Sequence, residues 1–338
     1  MEEKITANHP AIKYGKVGIL LVNLGTPDST DWWDVRKYLK EFLSDRRVIE
    51  VNPLIWQIIL NCIILTFRPS KSARAYKKIW IKEINQSPLR YYTELQAKKL
   101  ANRIGTEKII VDFAMRYGNP SIKSKLNFLK DKGCENIIVL PLYPQYAAAT
   151  TATVCDEVYR NLMKMRWQPS LQIIPHYESE PLYISSLVNS IEKKLSEITW
   201  KPDLILASYH GIPQEYFDKG DPYQCYCQKT TRLMNERFSN KILIETTFQS
   251  RFGPRKWLTP YTDKTLENLA SKKKKNILMI CPGFSSDCVE TLEEINIEGR
   301  ETFIKNGGIN FDYIPCLNDN DDHINLFSKL VKDYLILT

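Results

Sequence analysis

Residues 17–27 read VGILLVNLGTP and residues 203–213 read DLILASYHGIP; each is a mostly apolar run that ends in glycine and proline turn chemistry. A strand that stays apolar through successive positions, rather than at every second one, has both faces buried, as in a parallel sheet covered by helices. A second pair follows in each half, NIIVLPLYPQY at 136–146 and NILMICPGFSS at 276–286, again apolar run, proline, aromatic. Two matched pairs in the same order suggest two similar halves that meet near residue 165.

Working outward, apolar runs at 17–23, 109–113, 136–140, 171–174, 204–208, 241–245, 276–281 and 309–314 alternate with helical patterns at 31–43, 87–104, 121–132, 181–198, 224–238, 262–270 and 286–306. Strand alternating with helix throughout predicts a doubly wound α/β protein with parallel sheets. The expected division is an N-terminal domain over 1–165, a second over 166–314 and a C-terminal helix over 315–338. Within the first, residues 44–88 interrupt the rhythm. There Asn52-Pro53 forms an N-cap and first turn, 54–67 is apolar apart from Gln57 and Asn61, and Arg68-Pro69 is expected to stop the helix. Such a helix must face a core, a ligand or lipid, and its 14 residues fall short of the roughly 20 that span a bilayer.

Composition narrows the function classes. With 338 residues, 43% apolar, 25% charged and only 13 glycines, the chain is neither disordered nor collagen-like. The net charge of +8 is spread along the chain, with one dense run at 272–275. That favours small anions or a membrane surface and gives no nucleic-acid footprint. Eight cysteines, mostly in apolar runs, and a polar segment at 1–16 without a signal-like apolar core point to reduced thiols and a cytoplasmic protein. There is no P-loop and no G-x-G-x-x-G, so a nucleotide phosphate cradle is not expected. Cys225-Tyr226-Cys227 has no second pair beside it, so no iron–sulfur cluster is expected either.

His210 is one of four histidines and directly follows an apolar strand. Open parallel sheets bind ligands at such carboxyl strand ends, and neutral imidazole can take a proton or ligate a divalent metal. The stretch SSDCVETLEEINIEG at 285–299 begins at another strand end. At 100° per residue, Asp287, Glu290, Glu294 and Glu298 share one helix face, a costly row of like charges that can pass protons or a hard cation. His210 opposed by Glu290 would hold a divalent ion with open positions. Tyr143, Tyr117, Trp257 and Phe284 follow strand ends, and with Arg68 and Arg116 they describe a pocket for a large planar anion.

These segments are similar to the ferrochelatase family, the lyases that insert ferrous iron into a porphyrin. The likeness runs through GILLVNLGTP (18–27), FLSDRRVIE (42–50), SPLRYYTELQAKKL (87–100), MRYGNPSI (115–122), LPLYPQYAAATT (140–151), SYHGIP (208–213), KGDPY (219–223), TFQSRFGPRKWLTP (247–260) and PGFSSDCVETLEEINIE (282–298). The resemblance, which is to the bacterial type, implies two Rossmann-like domains with the last helix returning to the first. It implies that His210 and Glu290 bind metal and handle protons, with Asp287, Glu294 and Glu298 as a relay. Leu24, Ser87, Tyr117, Tyr143, Trp257 and Phe284 would surround the macrocycle, Arg68 and Arg116 would meet its propionates, and 54–67 would form an apolar lip able to touch membrane. Ferrous iron and protoporphyrin IX would be substrates, with no permanently bound cofactor, and the protein would be a monomer or homodimer. Coproporphyrin as the substrate, a chelatase for another tetrapyrrole and a non-catalytic tetrapyrrole carrier are the rival readings.

Overall fold

The computed structural model describes residues 13–239 and 242–335. Residues 1–12, which make up most of the polar N-terminal segment, and the last three residues of the C-terminal region lie outside it. All eight expected strands form. In the first sheet β1 (Lys16–Thr26), β2 (Ile109–Gly118), β3 (Cys134–Pro141) and β4 (Ser170–Ile173) run parallel in the order β2-β1-β3-β4. In the second, β5 (Leu204–His210), β6 (Ile244–Gln249), β7 (Asn276–Ile280) and β8 (Asn310–Ile314) run parallel in the order β6-β5-β7-β8. The two orders are the same, so the paired motifs occupy equivalent strands: β1 matches β5, and β3 matches β7.

Continuous apolarity has the consequence expected of it. Ile19, Leu20, Leu21 and Val22 on β1, and Ile205, Leu206 and Ala207 on β5, are wholly buried. Alternate residues of each strand enter cores on opposite faces of the sheet; Ile19 and Leu21 pack in one cluster, Leu20 and Val22 in another. Gly25 is required where β1 lies beside β2, opposite Tyr117. Its φ is +121°, and a Cβ there would lie 1.8 Å from the Tyr117 carbonyl oxygen.

Four boundaries differ from the sequence expectation. β4 pairs with β3, so the first sheet reaches Ile173 and the boundary at 165 falls inside it. The last strand of a parallel sheet needs a crossover before it, and here that crossover contains the helix Thr153–Leu162, which the run of small residues concealed. β6 runs from Ile244 to Gln249 rather than over 241–245, because residues 205–210 of β5 pair with 244–249; Lys241 itself lies outside the described residues. Arg68-Pro69 does not stop the lip helix. Helical structure continues from Pro53 to Ile79, with a wide i→i+5 turn at Leu60–Ile64 and Pro69 inside the segment Leu65–Ile79. The ladder is already altered at the wide turn, five residues upstream, which eases the missing N–H. The resulting 27 residues are long and apolar enough to cross a bilayer by length and composition, yet their second half carries Arg68, Lys71, Arg74, Lys77 and Lys78. Finally, the acidic helix begins at Val289 rather than 286.

The C-terminal helix Asp321–Leu335 buries Ile324, Phe327 and Val331 and packs against both Pro88–Ile104 of the first half and Pro181–Glu197. Lys99 pairs with Asp319 at 2.7 Å across the first of these junctions.

Candidate active site

The carboxyl ends of β1, β3, β5, β6 and β7 open onto one cavity of about 1110 Å³. Its wall includes residues 23–26 at the end of β1, Leu142, Tyr143 and Gln145 after β3, 210–213 at the end of β5, 250–252 after β6 and 283–286 after β7. That is the position at which parallel sheets bind ligands, and the volume exceeds an ordinary small-molecule site. Three helical segments with i→i+5 geometry contribute further wall residues: Leu60–Ile64, Ala148–Ala152 and Val289–Gly299. Wide turns of this kind are rare and collect at functional sites.

His210 closes β5 and lines the cavity. Its Nδ1 lies 2.6 Å from the Gly211 carbonyl oxygen. A carbonyl only accepts, so Nδ1 carries the proton, which in the neutral tautomer leaves the lone pair on Nε2. Glu290 lines the same cavity from the second position of the Val289–Gly299 helix. The two are held together through β6. In the β5–β6 register His210 stands opposite Gln249, whose amide donates 2.8 Å to the Glu290 carbonyl oxygen. The charge of Glu290 reaches Arg68, Tyr38 and Tyr76 on the opposite, lip-side wall; it favours the charged form of Arg68, while burial works against it.

Glu294 and Glu298 continue the row from Glu290 along the cavity, and Glu293 joins it. The wide turn keeps residues four and five apart over one another, so the row stays on one side. Burial raises the Glu294 carboxyl from 4.5 to about 7, against the Ser250 donors that favour its charged form. Those donors are the Ser250 backbone N–H, 2.8 Å from Oε1, and its hydroxyl. Both reach one carboxylate because Ser250 has φ +66°, a left-handed conformation uncommon for serine. Glu298, nearer solvent, is also raised by burial, while Lys78 and Lys71 pull it down. Lys78 pairs with Glu293 at 2.7 Å.

Three expected site residues do not line the cavity. Asp287 lies before the helix and is buried; its carboxylate accepts from the Tyr313 hydroxyl at 2.7 Å, the Asn318 amide at 2.7 Å and the Cys316 N–H at 3.3 Å. The face shared at 100° per residue does not extend to it, because the helix starts two residues later and is wider. Arg116 is buried in an ion pair with Asp45 and donates to the Thr153 carbonyl at 2.8 Å. Tyr117 is wholly buried, with its hydroxyl on the same Asp45 at 2.9 Å. The carboxylate that occupies both residues sits in the quoted segment 42–50.

The other expected residues lie on the cavity wall: Leu24, Arg68, Ser87, Tyr143, Trp257 and Phe284. Ser87 caps the helix Pro88–Ile104 by accepting from the Arg90 N–H at 3.3 Å. Trp257 is held by its indole N–H on the Phe252 carbonyl at 3.0 Å, and Arg68 sits 5.3 Å over the Phe252 ring. Lys71, Arg74, Lys78 and Arg251 add cations that the motifs did not single out. Periodicity beyond Pro69 could have found the first three, since they repeat at helical spacing from Arg68. Cys288 lines the cavity, but burial pushes its thiol well above the usual range, so it stays protonated and is a poor metal ligand. Cys225 and Cys227, two apart on the helix Tyr223–Arg237, point to different sides: the first is exposed and the second buried.

The lip is apolar and largely exposed. Leu54 is 79% and Phe67 73% exposed, and Ile55, Ile58 and Ile63 accompany them, with Ile63 and Phe67 reaching the cavity.

Comparison with known proteins agrees with this geometry. A family model described as ferrochelatase matches residues 16–335. A protein from Rhizobium etli named ferrochelatase is 55% identical over 328 residues, covering 96% of this chain and 95% of its own. One of the same name from Francisella tularensis is 52% identical over 328 residues, covering 96% and 98%. Among solved structures, SirB from Bacillus subtilis with Fe3+ shares the fold, with a TM-score of 0.55 at 12% identity over 94% of this chain and 95% of that one. With its sheets, its cavity and its sequence all in accord, the chain belongs to the ferrochelatase family.

Proposed function

We propose that the protein is a lyase that inserts ferrous iron into protoporphyrin IX with release of two protons, the step that completes protohaem. The observation that carries this reading is the shared cavity: the His210 imidazole, its Nδ1 held on a backbone carbonyl, and a carboxylate row open onto one space large enough for a macrocycle. Apolar and aromatic walls suit a flat ring, and the cations of the lip helix suit its propionates.

Metal insertion asks for three things. Two pyrrole protons must leave, the iron must shed water, and the ring must bend so that a nitrogen lone pair leaves the plane. A pocket that prefers the bent ring stabilises the transition state more than the flat substrate. In this reading His210 Nε2 accepts a pyrrole proton, and Glu290 faces the metal. Glu294, poised near neutrality, takes the proton on, and Glu298 passes it towards solvent. Asp287 leaves the relay and becomes the anchor of the helix start. Arg116 leaves the propionate site, while Arg68 stays in it. The protein works in the cytoplasm, and the exposed lip rests on a membrane surface, where each large apolar side chain gains up to about 1.5–3 kcal/mol on burial.

The test is an anaerobic assay of the purified chain with Fe2+ and either protoporphyrin or coproporphyrin, following the Soret band. Conversion of protoporphyrin to haem supports the reading. Conversion of coproporphyrin alone moves the substrate to the four-carboxylate ring, and no conversion of either overturns the reading.

A further inference from the structure

Gln249 is buried, with 4% of its surface exposed, and does not line the cavity, so it does not reach the substrates. Yet its polar atoms tie together the elements that carry the two reacting groups. Its Oε1 accepts from the Ser208 hydroxyl at 2.7 Å, two residues before His210 on β5. Its backbone carbonyl accepts from the Gly211 N–H at 2.8 Å, and Gly211 carbonyl oxygen is the partner of His210 Nδ1. From the same side chain, Nε2 donates to the Glu290 carbonyl at 2.8 Å and reaches Glu294 Oε2 at 3.4 Å. The amide bridges two elements: its oxygen accepts on the histidine strand's side and its nitrogen donates on the glutamate helix's side.

We propose that Gln249 is a positioning residue that fixes the separation of His210 and Glu290, and that it acts on turnover without contributing to porphyrin binding. The proposal rests on the chelatase reading above. An amide is suited to the task because it offers a donor and an acceptor at fixed spacing on one rigid group. A carboxylate of the same shape loses the donor and faces Glu294 with like charge, whereas leucine fills the volume and removes both the donor and the acceptor, leaving Ser208 only its contact with Thr262 at 2.9 Å.

The experiment compares the full-length wild type with Gln249→Glu, Gln249→Leu and Ser208→Ala. It measures kcat and KM for Fe2+ anaerobically, and the Kd for protoporphyrin by quenching of porphyrin fluorescence. Expected are a fall in kcat of tenfold or more for both Gln249 variants, a fall of about threefold for Ser208→Ala, and a porphyrin Kd within twofold of wild type throughout. In a Glu290→Gln background, Gln249→Leu should cause no further loss, since the lost geometry no longer has a reacting group to place. Should Gln249→Leu fail to fold, Gln249→Glu and Ser208→Ala carry the comparison. Porphyrin affinity that falls in step with kcat, or kcat within twofold of wild type in both Gln249→Glu and Ser208→Ala, overturns the proposal. A wild type that leaves the iron free overturns the chelatase reading as well, so the two failures are told apart.

Discussion

Glu294→Gln tests the electrostatics of the acidic row through stability. Burial raises this carboxyl from 4.5 to about 7, even though Ser250 supplies two donors and only Glu290 adds repulsion among its larger neighbours. The gap corresponds to about 3.4 kcal/mol at ~1.36 kcal/mol per tenfold change in proton affinity. Water in the cavity screens a partly exposed group, so a realistic effect is about 1–2 kcal/mol. The folded state holds the proton more tightly than the unfolded chain. The contribution is therefore fully present below about pH 4.5 and is lost as pH rises through about 7. Glutamine has no charge to bury, so the variant should match the wild type at pH 5 and exceed it at pH 8. In a chain of this size that is a rise of roughly 1–3 °C in Tm at pH 8. Thermal unfolding at both pH values in matched ionic strength measures it. A gain as large at pH 5 as at pH 8 would refute the reasoning, because shape rather than charge would then be responsible.

Asp287→Ala leaves the Tyr313 hydroxyl, the Asn318 amide and the Cys316 N–H without their acceptor and should cost about 3–5 kcal/mol in urea unfolding; a loss under 1 kcal/mol contradicts its role as an anchor. Gly25→Ala places a Cβ against the Tyr117 carbonyl at a φ that alanine avoids, and should destabilise by about 3 kcal/mol or more, read in the same titration. Replacing Leu54 and Ile58 together by serine should cut co-sedimentation with phosphatidylglycerol vesicles about tenfold, and unchanged sedimentation would remove the lip from membrane contact.

The strands and their parallel pairing were readable because burial on both faces writes itself as continuous apolarity, and because glycine and proline mark where several of them end. That His210 would line the cavity was readable for the same reason, since it closes such a strand, and Glu290 followed from the acidic row that begins after β7. The wide helical turns were not, since i→i+5 geometry depends on what surrounds a helix and leaves no periodicity in eleven residues. Asp287 illustrates the consequence, because a row drawn at 100° per residue includes a side chain that the real helix never carries. Arg116 shows a second limit. Its type suits an anionic ligand, but Asp45, seventy-one positions away, already occupies it. Gln249 belongs to a quoted segment and drew no attention, because a neutral amide announces nothing until its four partners are in place.

The central claim is that His210 and Glu290 carry out chemistry on a ring that other residues hold. Purified His210→Ala and Glu290→Gln, titrated with protoporphyrin by fluorescence and then given Fe2+ under anaerobic conditions, measure the two steps separately. The account predicts porphyrin affinity within a fewfold of wild type and insertion slowed by at least a hundredfold, a factor of ~10² being the lower range for a lost acid–base group. Near-normal insertion by either variant, or porphyrin binding lost together with insertion, would contradict it.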